Sequence, residues 1–311
     1  MIVTTIKGLE EITIQEIKEK LKVKAKKITD GRVSFESKKN LDLKSVDKIY
    51  ELIKEFKFKS KKEILDKVKK LKFDIKKDFV VRCYREGKHK FSSNEIERNI
   101  GEIIHDKGFK VNLKSKNVIY VETIKDHFFI GYLLKNRLCK RDYRLRISRN
   151  SINGCLGYCL LKLSDYKKNE VLVDPLCQDG TVLIEAGLFG GKKIYGLDNN
   201  PYNLKNSEVN SKLAKVKINL IEANVDLLNT KFKKESVDKM ITSLFVFNKN
   251  KKQALRVLDD LLSKVKYVLK KRLVMLSNEN LEIYFKKYKE LKLKKKYSIL
   301  NGMYKIYILE I

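Results

Sequence analysis

The amino-acid sequence predicts an α/β chain in which two small α+β units precede a doubly wound parallel sheet. Three observations lead there. In residues 151–311, strand-like apolar runs alternate with helical periods, the pattern of a parallel sheet with crossover helices. Two of those runs end in an acid, Asp174 and Asp198, and the chain's only two prolines, Pro175 and Pro201, stand just beyond them. Residues 1–134 lack that alternation and keep strands and helices in a shorter, mixed order. A length of 311 residues suits one large domain or two to three ordinary ones.

Apolar residues make up 43% of the chain, enough to build packed cores. Lys and Arg total 70 against 39 Asp and Glu, a formal charge of +31. Such self-repulsion is tolerable when a polyanion neutralises it, so nucleic acid is the first candidate partner and an anionic membrane surface the second. The membrane reading is weak. No apolar run reaches the roughly 18 residues of a spanning helix, the first residues lack a signal-peptide pattern, and there is no Trp for an interfacial helix. Five Cys, an odd number with no CxxC, read as free reduced thiols rather than as a disulfide framework or a zinc site. A cytoplasmic chain without metal or membrane is expected.

Residues 1–50 form the first unit. MIVTTI reads as a strand, a helix runs from Leu9 to about Leu21 with Ile12, Ile14, Ile17 and Leu21 apolar, and 32–36 alternates as a strand. The second unit is 51–134. After preceding helices come a strand at 79–84, a helix capped by Ser92, Ser93 and Asn94 and ending near Gly108, and strands at 117–122 and 128–133. Residues 135–150 form a linker. Lys135, Arg137, Lys140, Arg141, Arg144, Arg146 and Arg149 are opposed there only by Asp142. The Arg fork suits phosphate, so Lys135, Arg137, Arg141, Arg144, Arg146 and Arg149 are candidate RNA contacts.

Residues 151–311 carry the chemistry. The strand closing at Asp174 leads through Pro175-Leu176-Cys177-Gln178-Asp179-Gly180 into a helix at Thr181. A second strand, 193–198, ends at Asp198 and is followed by a helix from Pro201 to Leu213. Strands at 217–221 and 236–242, a helix at 250–268, a strand at 272–277, a helix at 279–288 and strands at 294–300 and 303–310 follow. Ligands bind such sheets at the carboxyl ends of the strands. A helix N-terminus there suits an anion, an acid at the second strand end accepts from ribose hydroxyls, and Asp226 beyond the third is placed to accept from an adenine amino group. His89, His105 and His127 are scattered, and none stands beside a Ser or Cys nucleophile.

The segment DPLCQDGTVLIEAGLFGGKKIYGLD resembles the first two motifs of class I S-adenosylmethionine-dependent RNA methyltransferases that carry a THUMP domain, D-P-F-C-G-[ST]-G-T, I-E-A and G-x-D. FVVRCYREGKHKFSSNEIERNIGEII resembles a THUMP domain, MIVTTIKGLEEITIQEI the ferredoxin-like domain before it, and LCKRDYRLRISRNSIN the linker into the catalytic domain. The resemblance implies a Rossmann-like methyltransferase domain and S-adenosylmethionine held by Asp174, Pro175, Cys177, Gly180, Thr181, Asp198 and Asp226. It also implies a tRNA substrate gripped by the N-terminal domains, and methyl transfer to the exocyclic amine of a flipped guanine. LIEAGLFG and the R-D-Y-R linker are similar to the archaeal type acting at position 10; the position-6 type stays open.

Two motifs depart from that family. Its [NDS]-P-P-[YF] motif, which holds the target amine and stacks on the base, corresponds to Ile241–Phe247, where Ser243 can serve as first residue and Phe245 or Phe247 as ring, but both prolines are gone. In the cofactor loop Gln178 replaces a Gly, and Asp179 replaces Ser or Thr, bringing a carboxylate near where the methionine carboxylate is expected. Two readings follow: a tRNA guanosine-N2 methyltransferase, or a non-catalytic tRNA-binding protein on the same fold, such as a chaperone. A small partner subunit could supply what the motif lacks. A crevice filled by Gln178, Asp179 or Phe245 would exclude the enzyme.

Overall fold

The computed structural model describes residues 1–37 and 42–311. The chain divides into two compact units. Of the described residues, the first comprises 1–4, 34–37 and 47–136; the second comprises 5–33, 42–46 and 137–311. The first 50 residues are therefore shared between the units.

In chain order the N-terminal elements are β1 (Ile2–Thr5), α1 (Glu10–Leu21), β2 (Ala25–Thr29), β3 (Arg32–Phe35), β4 (Val46–Lys57), α2 (Lys61–Lys69), β5 (Asp78–Glu86), α3 (Ser93–His105), β6 (Lys110–Val111), β7 (Val118–Ile124) and β8 (His127–Lys135). The first unit is a mixed sheet in which β4, β8, β7, β5 and β6 are successive neighbours. Its core places Ile64 and Val68 of α2 and Ile96, Ile100 and Ile104 of α3 against Phe79, Val81, Ile119, Val121, Phe128 and Ile130 of the strands. The cap expected at 92–94 is a capping box between Ser92 and Glu95.

The stretch expected to hold only helices before 79 contains a 12-residue strand, β4. Its pairing with β8 slips at Ile49/Tyr50 and again at Leu52/Lys54. Each bulge shifts the inside–outside alternation by one residue, so the period of two never accumulates. Gly131 on β8 meets this stretch closely; a Cβ there would lie 2.2 Å from the Glu51 carbonyl oxygen.

The second unit adds α4 (Gly154–Leu163), β9 (Val171–Asp174), α5 (Thr181–Leu188), β10 (Lys193–Asp198), α6 (Pro201–Leu213), β11 (Asn219–Glu222), α7 (Leu228–Lys231), β12 (Val237–Leu244), α8 (Lys251–Val268), β13 (Leu269–Ser277), α9 (Glu282–Phe285), β14 (Lys292–Ile299) and β15 (Tyr304–Glu310). The helix expected over 279–288 is thus four residues long. The strand order is β11-β10-β9-β12-β13-β15-β14, with β9 to β13 parallel and β15 antiparallel to both neighbours. Order reverses between β9 and β12, which makes their carboxyl ends the switch point of the sheet. One core packs α1, α4 and α5 on one face, with Leu9, Leu160 and Leu183; the other packs α8 with Leu258, Leu262 and Val265. No helix of the described residues is long and apolar enough to cross a membrane. Among them no cluster of three or more acids, His or Cys could hold a metal.

The cysteine expectation is corrected in part. Cys139 and Cys155 form a disulfide, while Cys83, Cys159 and Cys177 are free. A short turn over Leu138–Lys140 folds back on the start of α4 and brings the two Cα atoms within 4.9 Å, an approach that a sequence separation of 16 does not announce.

Candidate active site at the carboxyl edge

The site begins at the end of β9. Asp174 is buried, and burial pushes its carboxyl up to about 7; the Leu176 backbone N–H, donating at 3.1 Å, works against that rise, and the carboxylates of Asp198 and Asp179 add to it. Pro175 and Cys177 are buried after it. Burial raises the Cys177 thiol well above its ordinary value, which makes it a packing residue and not a nucleophile.

The loop turns into α5 through two left-handed residues, Gln178 at φ +56° and Gly180 at φ +75°. At Gly180 the turn admits no side chain, since a Cβ would sit 2.1 Å from Ser207 Oγ on α6. Gln178 stands where the resembling motif has Gly, and the backbone keeps the glycine conformation. Its N–H donates to Asp198 Oδ2 at 3.0 Å. Asp198, at the end of β10, also accepts from the Asn200 N–H at 2.9 Å and from the Asn203 amide at 3.1 Å. Asp198 thus ties the cofactor-type loop to the next strand end.

Asp179 does not point into the crevice. Its Oδ1 accepts from Thr181 Oγ1 at 2.8 Å, and its Oδ2 pairs with Arg144 Nη2 at 3.2 Å. Arg144 also donates to Thr181 Oγ1 and Ser151 Oγ. Arg141 is likewise turned inward: with Tyr143 it meets Glu185, at 2.7 and 2.8 Å, and it donates to the Lys44 carbonyl. Both arginine side chains, 9% and 8% exposed, are held in internal ion pairs rather than offered to phosphate. Glu185 serves both Arg141 and Tyr143. Arg137, Arg146 and Arg149 remain exposed, and Lys135 is half-buried.

Between the ends of β9, β10, β11 and β12 lies an open crevice of about 370 Å³. Leu176 and Gln178, Asn199, Asn224 and Asp226, and Ser243 with Phe245 form its rim from successive strand ends; Asn150 and Gln253 close it. The Asn199 amide donates to Asn224 Oδ1 at 2.8 Å. Asp226 borders the crevice directly, whereas Asp174, Gly180, Thr181 and Asp198 are buried and do not line it. Neither Gln178 nor Phe245 fills the space, and Asp179 is turned away.

Ser243 is buried and Phe245 packs edge-on against Tyr304, ring centroids 5.8 Å apart. Phe247 is 48% exposed, its N–H capped by Asn250 Oδ1, and it lies off the crevice rim. Where the resembling motif has its prolines, a side chain from another strand end holds the backbone. Asn278, just past β13, accepts from the Val246 N–H at 2.8 Å and donates to the Val246 carbonyl at 2.7 Å. Sequence reasoning missed Asn150, Asn199, Gln253 and Asn278. Asn199 could have been found as the residue after an acid-ended strand; the others carry no local signal.

Residues 141–307 match the UPF0020 family, described as RMKL-like, methyltransferase domain, and residues 43–133 match the THUMP domain. A tRNA (guanine(6)-N2)-methyltransferase of Methanocaldococcus jannaschii is 37% identical over 35% of this chain and 32% of its own length. A tRNA (guanine(10)-N2)-dimethyltransferase of the same organism is 29% identical over 50% of this chain and 47% of its own. The chain spans about a third of the length of the first of these relatives. Among solved structures, TrmN from Thermus thermophilus superposes with a TM-score of 0.83 at 22% identity, covering 99% of this chain and 98% of its own. SMU.472, a putative methyltransferase complexed with SAH, does so at 0.78 and 19%, covering 100% and 97%. These likenesses give the fold: an N-terminal THUMP-bearing α+β half and a Rossmann-like methyltransferase sheet. With more than half of its residues matched by that one family model, the chain belongs to the UPF0020 family of RMKL-like methyltransferase domains.

Proposed function

We propose that this chain is an S-adenosylmethionine-dependent methyltransferase acting on the exocyclic N2 of a guanine in tRNA, in the cytoplasm. The observation that carries the reading is the open crevice at the switch point, with Asp226, Asn199 and Asn224 on one side and Ser243 with Phe245 on the other. Its volume lies in the range of small-ligand sites. The donor supplies, when bound, an electrophilic methyl group on a sulfonium. Asn199 and Asn224 offer amides to ribose hydroxyls, and Asp226 offers a carboxylate to the adenine amine. The Ser243 hydroxyl accepts from the guanine amine, and the Phe245 ring offers a stacking face. This is catalysis by alignment, with no covalent nucleophile. The target amine lies in a duplex minor groove, so the base is unstacked before it enters. The THUMP-like unit and the basic surface of a chain whose formal charge is +31 hold the tRNA.

Two positions compete. The LIEAGLFG and R-D-Y-R segments favour guanine 10; the position-6 names of relatives from Methanocaldococcus jannaschii, Thermus thermophilus and Archaeoglobus fulgidus, 32 to 37% identical, favour guanine 6. A non-catalytic tRNA binder is the second reading, favoured by the two missing prolines. The test is nucleoside mass spectrometry of unmodified tRNA incubated with the protein and donor. N2-methylguanosine mapped to position 6 or 10 supports the enzyme; tRNA binding with no new methyl group leaves the binder.

A further inference from the structure

Residues 145–149 form a strap, hydrogen-bonded to α6, whose exposed side chains are apolar and basic in turn. Leu145 is 69% and Ile147 62% exposed, and Arg146 and Arg149 are exposed between and beyond them. Large aliphatic groups at such exposure stay in water at a cost unless a partner covers them. The backbone beneath is fixed. The Arg146 N–H donates to Asn210 Oδ1 at 2.9 Å, and the Arg146 carbonyl accepts from the same amide at 2.7 Å. The Asn206 amide donates to Ser148 Oγ at 3.3 Å. Asn206 and Asn210 are buried on α6, so the strap is pinned to the methyltransferase unit. Asn150, the next residue, lines the donor-type crevice. At roughly 3.5 Å per extended residue, Ile147 lies within about 11 Å of Asn150 and Leu145 within about 18 Å.

We infer that the strap is an RNA wedge: Leu145 and Ile147 enter the helix beside the target guanine and occupy the gap left when it unstacks. This inference rests on the proposed tRNA substrate and deepens it. The partner is a polyanion and not a protein, because the neighbours of the two apolar groups are cations and the strap itself has no acid. Aliphatic side chains inserted between base steps are a known way to open a nucleic-acid helix, with flanking cations neutralising the phosphates. The arrangement separates two tasks. Arg146 and Arg149 supply affinity, and Leu145 and Ile147 supply opening.

The test uses the full chain and tRNA transcripts carrying 2-aminopurine in place of guanine at position 6 or 10, a base that brightens when unstacked. The wild-type protein is expected to raise the fluorescence several-fold at one of the two positions. Leu145→Ser/Ile147→Ser is expected to bind with affinity within about threefold of wild type and the same melting temperature, but to lose most of the rise. Arg146→Ala/Arg149→Ala is expected to weaken binding and flatten its salt dependence, and to keep the full rise at saturation. Binding without any rise in the wild type, or a rise unchanged in the Leu145→Ser/Ile147→Ser variant, overturns the wedge and leaves the tRNA reading intact. Absence of tRNA binding overturns the tRNA reading, and the wedge with it.

Discussion

Arg144 Nη2 and Asp179 Oδ2 meet at 3.2 Å, each side chain under 10% exposed. The pair sits at the N-terminus of α5 and decides the orientation of the one loop residue that would otherwise repel an anionic ligand. Asp179 also accepts from Thr181 Oγ1, so its charge is spent inside the protein.

Removing the cation alone leaves a buried carboxylate without its partner. Arg144→Ala is expected to cost roughly 3 kcal/mol or more of stability. Arg144→Ala/Asp179→Ser, which takes away the charge as well, is expected to recover most of that loss. Urea unfolding of the two variants measures both. Equal midpoints for wild type and Arg144→Ala would contradict the pairing.

Gln178 holds a conformation that suits glycine, at φ +56°. A left-handed L-residue costs on the order of 1–2 kcal/mol, and glycine loses up to about 1 kcal/mol through its freer unfolded chain. Gln178→Gly is therefore expected to be neutral or slightly stabilising, and Gln178→Val, β-branched at positive φ, to destabilise by about 2 kcal/mol. Thermal melting ranks the three. A Val variant as stable as wild type would mean that this turn is not left-handed in solution.

Asp174 links the site to pH. Its folded carboxyl is pushed up to about 7, mainly by burial, against about 3.9 in an unfolded chain. Stability from the neutral form is fully present below about pH 4 and falls as the pH rises to about 7. Asp174→Asn keeps an acceptor for the Leu176 N–H and carries no charge. It is expected to match wild type near pH 4 and to be more stable at pH 8, by a few kcal/mol at most. Unfolding midpoints at the two pH values decide; an Asn variant less stable at pH 8 would show that the ionised carboxylate is favoured in the fold.

Asn278 grips Val246 through both backbone groups, at 2.8 and 2.7 Å. If that grip replaces the missing prolines, Asn278→Ala lowers kcat about tenfold with little change in KM for tRNA. Steady-state kinetics measures this, with melting temperature as the control for folding. A change confined to KM would assign Asn278 to substrate binding instead.

The legibility of the sequence followed the length scale of each signal. Local signals were readable: the Ser92 cap, the acid-ended strands at Asp174 and Asp198, the alternation of strand and helix after 151. Signals created by distant parts of the chain were not. Arg141 and Arg144 look like phosphate ligands in a basic run, and only the return of α5 brings Glu185 and Asp179 to meet them. The bulges of β4 erase its period. Asn278 lies 32 residues from the backbone it holds, so nothing near the absent prolines announces that contact. The crevice itself is walled by residues from four strand ends, α8 and Asn150 of the linker, a set that exists only after the sheet is assembled.

Calorimetric titration of S-adenosylmethionine into the full chain tests most directly whether the crevice at the ends of β9 to β12 is a donor site. Saturable one-to-one binding is expected, abolished by Asp198→Ala, which frees the backbone of Gln178, a residue of the crevice rim, and the Asn203 amide. No heat of binding at millimolar donor, with the protein folded, would contradict it.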